Sequence, residues 1–516
     1  MRSSDGNVLP AAEMNAPARD DRRAGVAVRI AIACGLALPP IIVAVVLSKS
    51  LFGASLREAL PLINDEVAYW NQVATFAAAG FSGGYITVDE RPSPTGWSHF
   101  GPHGPAFPLL YGLPAKVFGW RYASGPVFGA MAFLAAATLF ILLTRPPPLL
   151  IAALLASFWP LVVALPTTMQ EPLHFAIGCA LAVLLLRVLM AEDDPIPTRS
   201  LLAVAVALGG ASLLRPAWAL LAIPVGWYVG RRRGLMHGVL GAAAGIGFMA
   251  VTYAVFMSLA SPFPGTGSPQ LADLLNDPQD AVRRVIRRAT VESPEDWLFK
   301  EAHPLERLVR VEFVAIAVIT CALSFRRGTP AGVKRVDRFV AAAIVLLLAA
   351  VLTLGNIGSW QDFRSTTPLL LTLLLLCVST RPWFVWTLVA VHVIAAPLAI
   401  SAFERLHNTR FSAERRTIVD EFERTIRDQI TYDSTLSSWG NTLLVHADRY
   451  QAPLMALPPG VGASAVVYWN DVMLPIRSRY VLLSPGEVEN LGPRARLRKL
   501  ADTPIGQLFE NLDWQR

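Results

Sequence analysis

The chain has 516 residues, of which 53% are hydrophobic and only 16% are charged, and its mean hydropathy is +0.45. Soluble domains carry about 25% charged residues, so this composition excludes an ordinary soluble protein and predicts a polytopic membrane protein. The net charge of +7 comes almost entirely from arginine, which collects in the cytoplasmic loops of membrane proteins and therefore does not require a nucleic-acid partner.

The N-terminal polar stretch is too long, at roughly thirty residues, for an ordinary cleaved signal. We expect residues 1–27 to form a cytoplasmic tail, followed by an uncleaved signal anchor. The four cysteines, Cys34, Cys179, Cys321 and Cys377, all lie inside apolar runs. Neither a disulfide framework nor a CxxC site is therefore expected.

About eleven apolar runs follow, and a membrane span needs about 20 mostly apolar residues. Several runs are short, so the count is open by one around 149–190 and 200–230. The predicted fold is an all-α polytopic membrane protein of about eleven transmembrane helices within residues 28–402. The runs are 28–48, 122–143, 149–165, 172–190, 200–214, 216–230, 236–258, 308–324, 338–354, 366–380 and 383–402.

Basic residues in the short loops predict the orientation. Arg19, Arg22 and Arg23 precede the first span, which places the N-terminus in the cytoplasm. Strict alternation then puts every later short basic loop on the same side, as expected for an odd number of spans. These loops contain Arg145, Arg187 with Arg199, Arg231-Arg232-Arg233, the cations of 326–338, and Arg381.

The opposite face receives the outer loops 49–121 and 259–307 and the tail, residues 403–516. The tail contains a helical stretch at about 404–430, followed by short β-like runs between Pro and Gly turns. We expect it to form a small extracytoplasmic α/β domain. The β-like runs are Thr442–Val445, Ala465–Trp469 and Tyr480–Leu483.

Two acids open the segment that follows the first span. Asp65 and Glu66 begin a stretch predicted to be an interfacial amphipathic helix, because Val67 and Trp70 recur at helical spacing. Asn64 is the predicted N-cap. The acids either complement the helix dipole or serve chemistry, since ionisable groups near the bilayer are often functional.

Five more residues are predicted to lie on this face. His99 and His103 lie in a Pro- and Gly-rich return to the membrane, and either are ordinary loop residues or donate to a phosphate. Glu171 either marks a helix start or binds a metal or an acceptor hydroxyl. Arg215 and Arg364 either snorkel to the surface or bind phosphate oxygens.

In this order, the motifs resemble those of the GT-C glycosyltransferases, most closely the branch of the protein O-mannosyltransferases and the lipid A aminoarabinose transferase. Asp65-Glu66 stands where the family has its catalytic Asp-Glu pair. The segment Gly101-Pro-His103-Gly-Pro stands where the transferase has a Lys-Pro-Pro segment that contacts the donor phosphate, with His103 replacing the lysine.

Three further elements complete the resemblance. In architecture the resemblance covers roughly residues 28–400, whereas the residue types match only in these short motifs. Gln170-Glu171-Pro172-Leu173 resembles the family's second acidic position. Leu214-Arg215-Pro216 and Asp362-Phe-Arg364-Ser-Thr-Thr-Pro368 resemble its Arg-Pro and Arg-x-x-x-Pro elements.

The resemblance implies an inverting hexosyl- or pentosyltransferase of the inner (plasma) membrane. It would move a sugar from a polyprenyl-phosphate carrier to a glycan, lipid or protein acceptor on the extracytoplasmic face, which is periplasmic in a Gram-negative cell. Asp65 would be the general base and Glu66 would orient the base or the acceptor.

The same resemblance implies that His103 and Arg364, with Arg215 and His99 assisting, hold the donor phosphate. Glu171 would contact the acceptor or bind a divalent cation, and no other cofactor is expected. A transporter or flippase of lipid-linked sugars remains an alternative, although it would place its charges in mid-membrane. An oligosaccharide polymerase or ligase of related fold and a non-catalytic scaffold are also open.

Overall fold

The computed structural model describes residues 19–55, 58–62, 64–95, 100–191, 196–261, 279, 283, 304–354, 360–469, 474–491 and 494–514. Most of this part of the chain is helical, as predicted, and a small sheet lies in the C-terminal region. The helices are α1 (Arg19–Ala37), α2 (Pro39–Phe52), α3 (Asn64–Ala79), α4 (Ala106–Phe118), α5 (Ser124–Thr144), α6 (Pro148–Ser157), α7 (Trp159–Ala164), α8 (Glu171–Met190), α9 (Thr198–Leu214), α10 (Ala222–Arg231), α11 (Leu235–Leu259), α12 (Pro304–Ser324), α13 (Ala331–Leu354), α14 (Trp360–Thr380), α15 (Pro382–Ile394), α16 (Ala396–His407), α17 (Ala413–Ile426), α18 (Gln451–Ala456) and α19 (Pro485–Leu491).

Three of the described helices, α5, α8 and α11, are long and apolar enough to cross a membrane. Two bent pairs, Gly25–Ala37 with Pro39–Phe52 and Pro382–Ile394 with Ala396–Ile426, each qualify as one more span and bend by 44° and 59°. Proline lacks an N–H and interrupts a helix, which explains the break before Pro39. The count of about eleven spans remains a prediction.

The helix α8 lies at the centre of the apolar core. Most of its side chains between Glu171 and Leu189 are buried, and it packs against α5 and α14. A helix that is apolar on all sides belongs in an interior. A Cβ added to Gly178 would lie 2.5 Å from Thr372 Oγ1 on α14, so these two helices are in close contact.

The C-terminal sheet has six strands in the order β1-β3-β2-β4-β6-β5. The pairs β1–β3, β3–β2 and β2–β4 are parallel, and β4–β6 and β6–β5 are antiparallel. Two predicted strands are confirmed closely, and the run predicted at Ala465–Trp469 is displaced toward the N-terminus. The strands are β1 (Thr87–Val88), β2 (Thr442–His446), β3 (Gly462–Val466), β4 (Tyr480–Leu483), β5 (Leu497–Thr503) and β6 (Gly506–Asn511).

The edge strand β1 comes from the first loop, within residues 49–121, rather than from the tail. Thr87 pairs with Ser464 and Val88 with Ala465, and Thr87 Oγ1 donates a hydrogen bond of 3.0 Å to Ser464 Oγ. The sheet therefore joins the loop that carries Asp65 to the tail.

The predicted helix after Asn64 exists as α3, but the prediction that it is a surface helix is wrong. Residues 66–76 are all buried. One side packs with Phe107 and Tyr111 of α4, and the other packs into the core of the tail. The helix is covered from both sides because the tail lies over it. The side chain of Asn64, the predicted cap, lies outside the described residues.

The junction between the first loop and the tail leaves no room for a side chain at Gly84. A Cβ there would lie 2.1 Å from Asn441 O and 2.7 Å from Gly462 N. We expect Gly84→Ala to destabilise the fold by about 1–3 kcal/mol through overpacking. The measurement is the midpoint of thermal unfolding in detergent.

The control for this change is Gly486→Ala on α19, where a Cβ would meet nothing within 4 Å. An alanine in a helix is more favourable than a glycine, so this variant should unfold at an equal or higher temperature. An equal decrease in both variants would contradict the proposed close contact.

Candidate active site

Glu66 is held in a fully buried ion pair with Arg410 of the tail. The two side chains are 0% and 1% exposed. Arg410 Nη1 donates to Oε1 at 2.6 Å and Nη2 donates to Oε2 at 2.8 Å. The backbone N–H groups of Thr168 and Leu62 donate to the same two oxygens at 2.7 and 2.9 Å. Both carboxylate oxygens therefore have protein donors.

The remaining contacts of Arg410 fix the tail against the first loop. Its Nε donates to His407 Nδ1 at 3.0 Å, and its Nη1 donates to Leu60 O at 3.0 Å. The Arg410 carbonyl in turn accepts from the Leu60 N–H at 3.1 Å. Burial would raise the pKa of Glu66, but the Arg410 charge and the hydrogen bonds from Arg410, Leu62 and Thr168 together outweigh burial and lower that pKa. Glu66 is thus a buried carboxylate whose contacts lie within the protein.

Asp65, the adjacent residue, lies in a different environment. Its side chain is 28% exposed, and Oδ2 accepts a 2.8 Å hydrogen bond from Arg364 Nη2. His103 Nε2 lies 3.9 Å from Oδ1, too far for a direct hydrogen bond. Burial would raise the pKa of Asp65, but His103 and Arg364 outweigh that effect and hold it well below its usual range.

Arg364 is mostly buried, and its guanidinium is only partly satisfied. Besides Asp65, its Nη1 lies 3.6 Å from Met169 Sδ. Its Nε is buried without an acceptor among the described residues. A buried donor without a partner is costly, so this position favours an acceptor supplied from outside the protein.

Arg215 and Glu171 form a second ion pair beside the first. Arg215 Nη2 lies 2.8 Å from Glu171 Oε1, and Arg215 Nη1 donates to the backbone carbonyl of Arg364 at 3.3 Å. Glu171 Oε2 has no partner among the described residues. A cavity of about 30 Å³ between Glu171, Arg364 and Met169 has room for a single small polar group.

Tyr69, like Arg410, belongs to the site but was not predicted from the sequence. It follows Asp65 by four residues, so both lie on the same face of α3. Its ring packs 4.8 Å from that of His103 and 5.0 Å from that of Phe107. Burial, followed by the Asp65 and Glu171 charges, raises its pKa well above the ordinary value. The i+4 spacing was the available signal.

The structure thus brings five of the predicted site residues together. Asp65, His103, Arg364, Arg215 and Glu171 form a continuous set of contacts. Glu66 is adjacent in sequence but is directed into the tail contact. His99 lies outside the described residues. Among the residues that the structure describes, no group of three or more His, Cys, Asp or Glu side chains could hold a metal ion.

Comparison with known proteins gives a match only at the level of structure. No protein-family profile matches the sequence, and no curated protein matches it. The structure is similar to that of ArnT from Cupriavidus metallidurans bound to undecaprenyl phosphate, with 13% identity and a TM-score of 0.41 over 95% of this chain and 98% of that one. The apo state of ArnT gives 12% identity and a TM-score of 0.43 over the same shares. Scores of this size assign neither a substrate nor a residue role.

The buried pair of Glu66 and Arg410 can be tested by a double-mutant cycle. We expect Glu66→Gln and Arg410→Met each to destabilise the protein by about 3–5 kcal/mol, because each leaves one buried partner uncompensated. The double variant should cost less than the sum of the single changes. Thermal unfolding of the purified chain measures all three.

An exposed ion pair serves as the control. Arg427 lies 3.5 Å from Glu423 on α17, with side chains 67% and 46% exposed. Arg427→Ala should therefore change stability by no more than about 1 kcal/mol. Additive losses in the Glu66–Arg410 cycle would show that the two residues act independently.

Proposed function

We propose that this protein is an integral-membrane glycosyltransferase that moves a sugar from a polyprenyl-phosphate carrier to an acceptor on the extracytoplasmic face. The observation that carries the proposal is the ion pair between Asp65 and Arg364, 2.8 Å apart. It places a partly exposed carboxylate beside a mostly buried arginine whose Nε has no acceptor among the described residues. A base and an anion-binding group are what transfer from a phosphate carrier requires.

In this mechanism Asp65 takes the proton of the acceptor hydroxyl. The acceptor oxygen then forms a bond to the anomeric carbon of the donor. The bond from that carbon to the phosphate oxygen breaks, and the polyprenyl phosphate leaves with its electron pair. Attack opposite the leaving group inverts the anomeric centre. The exposed fraction of Asp65 leaves one side of the carboxylate open to an acceptor.

Arg364 is the residue we assign to the leaving phosphate, with Arg215 and His103 beside it. Arginine matches phosphate oxygens with a planar fork of donors. The 3.3 Å hydrogen bond from Arg215 to the Arg364 carbonyl keeps the two cations close. His103 lies near Oδ1 of Asp65 and Arg364 binds Oδ2, so the two side chains border the carboxylate at its two oxygens.

The ion pair also suggests the order of events. In the structure, the Asp65 carboxylate accepts a hydrogen bond from an Arg364 N–H group that a phosphate oxygen could accept instead. When the carrier phosphate binds Arg364, the carboxylate loses a partner that lowers its pKa. It then becomes a stronger base. We therefore propose that the donor binds first and prepares Asp65 for the acceptor.

Two neighbouring acids and a tyrosine have supporting roles in this proposal. Glu66 positions Asp65, because its oxygens bind Arg410 and backbone N–H groups. Glu171 contacts the acceptor through Oε2, the oxygen without a partner among the described residues. Tyr69 packs against His103 and holds that imidazole near the carboxylate.

Replacing the base is the direct test of the proposed chemistry. We expect Asp65→Asn to reduce the turnover of sugar transfer by about 10²–10⁴-fold, the usual contribution of a general base. Transfer is measured on purified protein with a polyprenyl-phosphate sugar. The control is Glu58→Gln, an exposed acid in the same loop, which should retain activity. Near wild-type turnover in Asp65→Asn would exclude this residue as the base.

Replacing the phosphate ligand tests the other half of the site. Arg364→Gln removes a charged donor, and we expect donor binding to weaken about tenfold to a hundredfold, in line with about 1.5–3 kcal/mol for such a hydrogen bond. The apparent affinity for the donor is the measurement. Arg187→Gln, at an exposed position of α8, should leave it unchanged, and an unchanged value for Arg364→Gln would refute the phosphate role.

The same variant has a second readout in its pH profile. Arg364 helps to hold the pKa of Asp65 low, so its loss raises that pKa. The carboxylate then becomes protonated at a higher pH. The acidic limb of the kcat/KM profile, which reports the free enzyme, should therefore move upward in Arg364→Gln relative to wild type. A merely structural role for Arg364 would leave this limb in place.

A further inference from the structure

The helices α9, α10 and α11 enclose a groove of about 450 Å³ away from the proposed active site. α10 and α11 pack very closely, because a Cβ on Gly226 would lie 2.1 Å from Gly241 O, and one on Gly241 would lie 2.0 Å from Gly226 O. α9 forms the facing wall. Leu201, Val204 and Phe248 contribute to the apolar lining.

One end of the groove is basic. Arg232, Arg233 and His237 line it. Arg232 is anchored by hydrogen bonds of 3.3 and 2.8 Å to the carbonyls of Val188 and Ala191, at the end of α8. Arg233 and His237 are exposed at this mouth. An apolar channel that ends in cations suits a lipid with an anionic headgroup.

The surrounding sequence supports an excess of positive charge. Residues 195–272 contain neither Asp nor Glu. Arg199 and Arg231 add to the cations at the same end of these helices. The acidic run Glu192-Asp193-Asp194 precedes the groove in sequence and lies outside the described residues.

We propose that this groove binds an anionic glycerophospholipid, with one acyl chain between α9 and α11 and the phosphate at Arg233 and His237. The site is separate from the proposed glycosyl-transfer site and does not depend on it. α9 has 17 residues and is therefore about 25 Å long. It starts at the mouth and ends next to Arg215, so the carrier phosphate proposed for Arg364 lies near its opposite end.

The test measures lipid retention by the full chain purified in phosphatidylcholine nanodiscs. Phosphatidylglycerol is titrated in, and the bound lipid is identified by native mass spectrometry after release. We expect wild type to retain phosphatidylglycerol in preference to phosphatidylcholine. Arg233→Gln should reduce that preference about fivefold, the effect of one basic residue at a lipid surface.

Two further variants separate the groove from general surface charge. Arg326→Gln removes an exposed arginine from the connection between α12 and α13, and it should retain the wild-type preference. Ala205→Phe fills the groove lining without changing charge, and it should reduce phosphatidylglycerol retention. If Ala205→Phe is not recovered as folded protein, Ala244→Phe fills the same groove from α11.

Three outcomes would overturn the proposal. One is an equal loss of preference in Arg326→Gln, which would indicate general surface charge. Another is unchanged retention in a folded groove-filling variant. The third concerns competition for the bound phosphatidylglycerol. If undecaprenyl phosphate displaces it at a lower concentration than added phosphatidylglycerol does, the groove belongs to a carrier lipid instead. Unchanged sugar transfer by Arg233→Gln would show that this binding is independent of the proposed enzyme activity.

Discussion

The buried contact between Glu66 and Arg410 is the constraint on which the proposed site depends. Two charges with almost no solvent exposure are tolerated only when their donors and acceptors are matched. Glu66 meets this condition with Arg410 and with the N–H groups of Leu62 and Thr168. The contact therefore joins the first loop, the turn before α8 and the tail, and it fixes the first turn of α3.

Fixing that turn also fixes Asp65, the preceding residue. The two acids leave α3 in different directions, one into the tail contact and the other toward Arg364. A helix-dipole explanation alone would leave both at a solvated helix start. Their different burial and partners support separate roles instead, in which Glu66 positions the turn and Asp65 performs the proposed chemistry.

Most of the candidate site could be predicted from the sequence, because the residues of the site lie in motifs within or beside apolar runs. Loop charges placed Asp65, His103, Glu171, Arg215 and Arg364 on one face, and the structure brings them into contact. Arg410 was not predicted, because a single arginine in a mixed helical tail has no distinguishing pattern. The strand β1 has only two residues, so the alternation of apolar and polar side chains that identifies a strand is not visible in the sequence. The double-sided burial of α3 depends on long-range packing of the tail, which local periodicity does not report.

The tail over α3 gives a physical reason why transfer could outcompete hydrolysis in the proposed site. An activated sugar beside a general base is also open to attack by water, so water must be limited there. Tyr450 of the tail is 9% exposed and packs in one hydrophobic cluster with Val67 and Ala68 of α3, so the tail covers the helix that carries Asp65. Before the donor binds, Asp65 is paired with Arg364 and is a weak base. Coverage by the tail and release by the donor phosphate would therefore act together to favour the acceptor over water.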